Sequence, residues 1–291
     1  MPRYDIIGIG TPTVDVLVTK DGIIKRFGGS SVISAITALS RWGAKTAVIS
    51  RVGTDAYGDW LLRNFEEEHV DVSGIVRDAL PTSIWSIGAV TPTVERAEPQ
   101  VYRPLVCLNA VQKKVIKNSR AFLIRINNPL FPRFVEEAAK HKKRLFVTFH
   151  LFEFFPSYME MLRKNPPEII FMNEEEYEKA LERYDLFSIN SLFVVMKGEA
   201  GCTLFQRGDM VSYHGYNADS VDTTGAEGCF VAGFLYGYLR GWTPAESSNL
   251  ANVMRALATT EYGGRRKLPT MEEMQLVASK LKKEQESASF G

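Results

Sequence analysis

Short runs rich in Val, Ile, Phe and Leu alternate along most of the chain with longer stretches in which apolar residues recur every three or four positions. The runs at 5–9, 47–52, 121–126, 145–149, 169–172 and 192–196 predict strands. The amphipathic stretches at 31–42, 57–68, 132–140, 174–183, 226–239, 244–260 and 271–282 predict helices, several opening on a polar residue or a proline. That rhythm predicts an α/β core, a mostly parallel sheet with helices on both faces. Two segments break it: VDVLV leads into the turn KDG, and two strand-like runs flank TPTVERAEPQ. These segments, about 11–27 and 84–106, are expected to supply extra strands that form a small cover over one end of the core, with ordinary edge strands as the plainer alternative. A length of 291 residues fits one domain of this type, 1–291, and the tail KKEQESASFG is expected to fray.

Charge and composition narrow the partner. With 35 basic and 34 acidic residues the chain has no strong field to draw it to nucleic acid or an anionic membrane, so a small molecule is expected. No apolar run reaches about 18 residues, and MPRYDIIGIG lacks a signal-peptide plan, which together predict a cytoplasmic protein without a membrane span. Cys107, Cys202 and Cys229 are sparse and include no CxxC, which argues against a disulfide framework or a zinc site. His69, His141, His150 and His214 are scattered without metal-ligand spacing and read as structural or surface residues.

The strongest chemical signal is VDTTGAEGCFVAGFLYGYLRG at 221–241, where a polar, glycine-containing turn runs straight into a long apolar helix. Unpaired amides at a helix start, backed by the positive end of the dipole, make an anion site, and Gly225 permits the tight turn. Gly233 and Gly237 lie four apart on one face and are expected to pack closely against a neighbouring helix. The spacing is neither a Walker A loop nor GxGxxG.

Residues 222–226 and 230–234 match, position by position, the C-terminal signature D-T-T-G-A-G-D-A-F-V-A-G-F of the PfkB carbohydrate kinases. FGGSSVISAITALSRWGAKTAVISRVGTDAYGDW at 27–60 resembles a second signature of that family. Asp15, Pro81-Thr82, NEEE at 173–176, KGEAG at 197–201 and LPT near the end fill the interval, so the resemblance covers nearly the whole chain. It implies a ribokinase-like three-layer α/β/α core with a small β lid, and an ATP- and Mg2+-dependent phosphotransferase acting on a hydroxyl of a sugar, polyol or nucleoside.

By that resemblance Asp15, Gly28 and Gly29 hold the substrate, and Ser34, where the chain departs from the family, is placed to donate a hydrogen bond to it. Asn173, Lys197, Gly198, Gly201, Thr223, Thr224 and Asn252 border the nucleotide, and Asn173 and Glu176 order Mg2+ through water. Gly225 and Ala226 form the anion hole. The chemistry agrees, since carboxylate and amide oxygens suit a hydrated Mg2+ and a carboxylate accepts two polyol hydroxyls. Each group also follows a predicted strand, on the crevice side of an open sheet. Arg96 and Arg103 in the cover are placed to reach a charged or hydroxylated substrate, with solvated positions as the plainer alternative. A homodimer through the cover's strand edges is a further expectation.

The pattern fails at its chemical centre. Gly228 stands where the family has its general base, an aspartate, and Glu227 stands where it has a glycine. Losing a general base typically costs about 10²–10⁴-fold in rate, although phosphoryl transfer depends mainly on positioning and electrostatics. Glu227 is a candidate substitute, but one position along a helix is a rotation of about 100°. In an amide-lined phosphate site its carboxylate competes with the γ-phosphate, and in its plainest role it stabilises the helix dipole. The family's asparagine in G-G-x-x-x-N-x-A is replaced by Ile33 or Ser34, depending on alignment. Two readings follow: an impaired kinase, or an inactive kinase-fold protein that binds a small molecule or partner. Under the first, Gly228→Asp with Glu227→Gly is expected to raise ATP turnover at least about tenfold.

Overall fold

A computed structural model of the protein describes residues 3–18, 24–87, 96–149, 156–263 and 268–288; His150 lies outside them. In chain order the first half runs β1 (Ile6–Ile9), β2 (Thr13–Val18), β3 (Ile24–Gly29), α1 (Ser31–Arg41), β4 (Thr46–Gly53), α2 (Ala56–Glu67), β5 (Ile75–Asp78), β6 (Ser83–Ile87), β7 (Arg96–Val101) and α3 (Ala110–Lys117). The second half runs β8 (Ala121–Arg125), α4 (Phe131–His141), β9 (Arg144–Thr148), α5 (Pro156–Lys164), β10 (Ile169–Asn173), α6 (Glu174–Leu181), β11 (Leu192–Met196), β12 (Cys202–Gln206), β13 (Asp209–Tyr213), α7 (Ala226–Tyr238), α8 (Pro244–Thr259) and α9 (Met271–Ala288). The last helix passes the predicted stop at 282, because Lys, Glu, Gln and Ala are good helix formers and the expected frayed tail is helical as far as Ala288.

Nine strands form one sheet in the order β13-β12-β11-β10-β9-β8-β1-β4-β5, parallel from β11 to β5 and antiparallel at β12 and β13. Side chains alternate across it, as the two-residue period of a strand requires. Ile6, Val48, Leu123, Phe146, Phe171 and Val194 join the core under α1, α7 and α8. Ile7, Ile49, Phe122, Val147, Ile170 and Val195 face the opposite layer with α4 and α5. Helix α7 is apolar on every side and buried from Gly228 to Gly237 because it lies between the sheet, α1 and α8. Its Gly233 touches Ala251 and Met254 of α8, and Gly237 touches Trp242, the close packing expected of that pair.

The segments that break the rhythm form a separate four-stranded sheet, β3-β2-β6-β7, which is the lid. It is anchored by motif residues that bond to one another. Asp55 caps α2 through the Gly58 amide at 2.8 Å, and also accepts from the Thr82 amide and hydroxyl, each at 2.7 Å. The Thr82 hydroxyl in turn accepts from the Gly53 amide at 2.9 Å, so VGTDAYG and Pro81-Thr82 form one knot joining β4, α2 and the start of β6. Buried Arg51 clamps the same segment through Asp78 and the Leu80 carbonyl.

Burial pulls the Asp55 carboxyl up, but the bonds from Thr82 and from the backbone outweigh it and hold the group below the usual carboxylate range. A depressed folded value contributes stability that is complete above the unfolded value, about 4, and is lost as pH falls through the folded one. Asp55→Ala is therefore expected to cost about 2 kcal/mol at pH 7 and progressively less below about pH 4. Urea midpoints of both proteins at pH 7 and pH 3 check the sign.

Candidate active site

The parallel strands deliver their carboxyl ends to one rim, and the chain leaves β1 toward β4 on one side while β8 lies on the other. Such a switch in strand order opens a crevice, and crevices of this kind are where open α/β sheets bind ligands. A cleft of about 300 Å³ occupies the place. It is lined by Gly10 and Thr11 beyond β1, Arg125 ending β8, Asn173 ending β10 and Met196 ending β11.

The polar turn before α7 supplies one wall. Buried Asp222 accepts from the Thr224 amide at 2.8 Å and the Gly263 amide at 2.9 Å, which fixes the turn. Gly225 then takes φ 79°, a left-handed conformation that costs a glycine nothing, and starts α7 without a side-chain cap. Among the described residues the amides of Glu227 and Gly228 have no backbone acceptor, and both residues line the cleft together with Thr223, Thr224, Gly225 and Ala226. They provide oriented donors at the positive end of a helix, a cradle suited to phosphate oxygens.

Asn173 is held at both ends of its carboxamide. Its Oδ1 accepts from the Glu176 amide at 2.8 Å, while its Nδ2 donates to Glu227 Oε1 at 3.2 Å. Glu176 does not line the cleft; it is buried behind Asn173, where its Oε2 accepts from the Asn173 amide at 2.9 Å and completes the cap of α6. Gly198 lines the cleft beside Arg255 of α8, whose guanidinium is pulled down by burial and pulled back by Glu199 and Glu227.

Three sequence-derived nucleotide residues stand behind this wall. Lys197 pairs with Glu174 at 3.4 Å, and Gly201 packs against the backbone of Tyr213 and Gly215. Buried Asn252 donates to the His214 carbonyl at 3.0 Å. Nearby, burial pushes the Cys202 thiol up to about 11.

The opposite wall comes from the lid. Asp15 accepts from the Thr13 hydroxyl at 2.9 Å and lies so close over Gly29 that no side chain fits there. Gly28, Gly29 and Ser34 share the cleft with it. Ile33 is fully buried in the core, which leaves Ser34 as the cleft-facing member of the pair. Arg103 is exposed and is not in the cleft lining, and Arg96 lies in β7 with its side chain outside the described part.

Position 228 differs most from its motif. A Cβ there would sit 2.7 Å from Ser34 Cβ and 2.8 Å from the Ser31 carbonyl oxygen. The start of α1 is therefore pressed onto the start of α7, and the room for the family's aspartate is taken by α1. The restoring pair Gly228→Asp with Glu227→Gly, reasonable on the motif, meets this backbone. Glu227 has turned to Asn173, on the α6 side of the cleft.

Sequence reasoning missed Arg125, Asn127 and Arg255 in the cleft. The first two had a signal, a polar step RINN directly after an apolar strand. Arg255 had none, being one cation on an amphipathic helix.

Comparison with known proteins bears on the family and the fold. The profile of the pfkB family carbohydrate kinases matches residues 14–271. An uncharacterized sugar kinase of Archaeoglobus fulgidus is 30% identical over 254 residues, covering 79% of this chain and 98% of the relative. Among solved structures, adenosine kinase from Sinorhizobium meliloti superposes with a TM-score of 0.81 at 20% identity, over 94% of this chain and 99% of that one. An E. coli protein described as a ribokinase II, in complex with ATP and Mg2+, does so with a TM-score of 0.77 at 18% identity, over 95% and 99% of the two chains. With its fold, its lid and most of its length accounted for in this way, the chain belongs to the pfkB family of carbohydrate kinases.

Proposed function

We propose that the protein is an ATP- and Mg2+-dependent phosphotransferase acting on a hydroxyl of a sugar, polyol or nucleoside, slowed by the lack of a base at Gly228. One observation carries this reading: a single cleft has the unpaired amides opening α7 and the Asn173 carboxamide on one wall, and Asp15 with Gly28-Gly29 on the other. Bound Mg-ATP supplies the transferable phosphoryl group and the charge that neutralises it. Thr223, Thr224 and the first amides of α7 hold phosphate oxygens, and Asn173 reaches the hydrated metal with Glu176 as its support. Asp15 accepts substrate hydroxyls and orients the acceptor. Lys197, Gly201 and Asn252 serve the nucleotide side as the frame of its wall.

A second reading has its own observation. With α1 occupying the space beside Gly228 and Glu227 bonded to Asn173, neither residue offers a carboxylate free to take the acceptor's proton. A binding protein built on a kinase fold fits that arrangement. The kinase reading expects Mg-ATP to raise the melting temperature, since a ligand at about 100 times its Kd stabilises the folded state by about 2.7 kcal/mol. ADP release on a panel of sugars, polyols and nucleosides separates them: turnover of any member selects the kinase, and binding without turnover selects the inert protein. Absence of any shift with Mg-ATP overturns the kinase.

The reading includes a homodimer through the lid, whose β3 and β7 are sheet edges. Light scattering that returns a single 32.7 kDa species removes the dimer.

A further inference from the structure

The nucleotide wall of the cleft holds a cation that belongs to none of the motifs. Arg255 sits on α8, near its C-terminal end. The Thr259 carbonyl, one turn on, accepts from the Val221 amide at 2.7 Å and the Asp222 amide at 3.2 Å, which ties that end of α8 to the polar turn before α7. The guanidinium itself reaches the turn after β11, where a Cβ added to Gly198 would lie 3.4 Å from Arg255 Nη2. Anchored at one turn and extended toward the other, Arg255 lines the cleft with Asn173, Thr223, Thr224 and Glu227.

Among the described residues Arg255 forms no ion pair and no hydrogen bond. Glu199 and Glu227 attract it from a distance; both are exposed, and burial of the guanidinium outweighs their attraction. A half-buried cation with five donors and no close acceptor is a poor structural element. Two plainer roles exist: an arginine near the end of a helix complements the negative end of its dipole, and its stem covers apolar surface. Neither role calls for a guanidinium in a cleft beside unpaired amides, whereas a chain of phosphates does. Its oxygens outnumber the amides that open α7, and a guanidinium fork takes two of them at once. The Glu227 carboxylate on the same wall adds a negative charge that repels phosphate, and a cation there offsets it.

We propose that Arg255 is a phosphate-binding residue, whose guanidinium takes oxygens of the nucleotide's phosphate chain alongside the first amides of α7 and offsets the charge of Glu227. The inference rests on the phosphotransferase reading for the identity of the ligand and adds to it a residue outside the motifs of the cleft.

The test is titration calorimetry of Mg-ATP with wild type, Arg255→Met and Arg255→Lys at low and at high KCl, together with the ligand-free melting temperature of each protein. Arg255→Met is expected to weaken Mg-ATP at least about tenfold at low salt, and by less at high salt, because a charge-assisted bond to phosphate is removed. Arg255→Lys, which keeps the charge and loses the fork, is expected to fall between. An unchanged or tighter affinity in Arg255→Met overturns the inference, as does a loss that is the same at both salt concentrations, which packing alone would give. A lowered melting temperature with unchanged Mg-ATP affinity also overturns it and leaves Arg255 as a helix-end cation. Should the methionine variant not fold, weaker Mg-ATP binding by the lysine variant supports the inference and wild-type affinity overturns it. No Mg-ATP binding by wild type overturns the phosphotransferase reading together with this inference; binding by wild type that is indifferent to Arg255 overturns this inference alone.

Discussion

Gly228→Ala is expected to destabilise the protein by about 2 kcal/mol, the range of overpacking a filled interior, although glycine to alanine in a helix ordinarily gains up to about 1 kcal/mol. The sign is set by the neighbours. The new Cβ meets Ser34 Cβ at 2.7 Å and the Ser31 carbonyl oxygen at 2.8 Å, and the second of these is backbone that cannot turn away. Gly228→Asp adds a carboxylate to the same collision and is expected to cost more, with no gain in turnover even beside Glu227→Gly. Ser34→Gly in the Gly228→Ala background removes the side-chain half of the clash and is expected to recover part of the loss. Chemical denaturation of the four proteins checks the series. A stabilised Gly228→Ala, or an aspartate variant that folds and turns over faster, would mean that α1 yields and that the missing base alone limits the enzyme.

The second large effect concerns the carboxylate that has taken the glycine's place. Glu227 reaches across to Asn173 Nδ2, between the amides of α7 and the start of α6, where the phosphates of a nucleotide would lie. A unit charge about 5 Å from a phosphate in a partly screened site costs roughly 1–3 kcal/mol. Glu227→Gln keeps the shape and the bond to Asn173 while removing that charge, so it is expected to tighten Mg-ATP by about tenfold, with the gain shrinking at high salt. Titration calorimetry at two ionic strengths reads it. Weaker Mg-ATP binding in the variant, together with an increased demand for Mg2+, would instead make Glu227 a ligand of the metal.

Both effects act where α1, α6 and α7 begin, at Ser31, Glu174 and Ala226, three points far apart along the chain. Their existence was legible from periodicity and caps: the runs at 169–172 and 192–196 became β10 and β11, and NEEE became the capping box of α6. The elements that escaped notice were those with weak patterns. β5 is four residues long, β12 is a five-residue strand directly after a glycine turn, β13 is an exposed edge strand, and α3 and α5 are short helices of mixed composition. Such segments take their conformation from the sheet and core they join, and little of that is written locally.

Local sequence determined the alternation of strand and helix, the two-layer core that follows from a two-residue period, the anion-binding start of α7, and the departure at 227 and 228. It could not tell whether Gly228 is an enzyme's missing base or a contact point. Only the tertiary structure revealed the contact, with Ser31 and Ser34 close enough to α7 that a Cβ at 228 would meet both. The same packing brought Arg125, 94 residues away from Ser31, to the positive end of α1. Periodicity and capping are properties of neighbours in the chain, whereas steric exclusion and electrostatic potential depend on distances in space, and those are set only when the layers close.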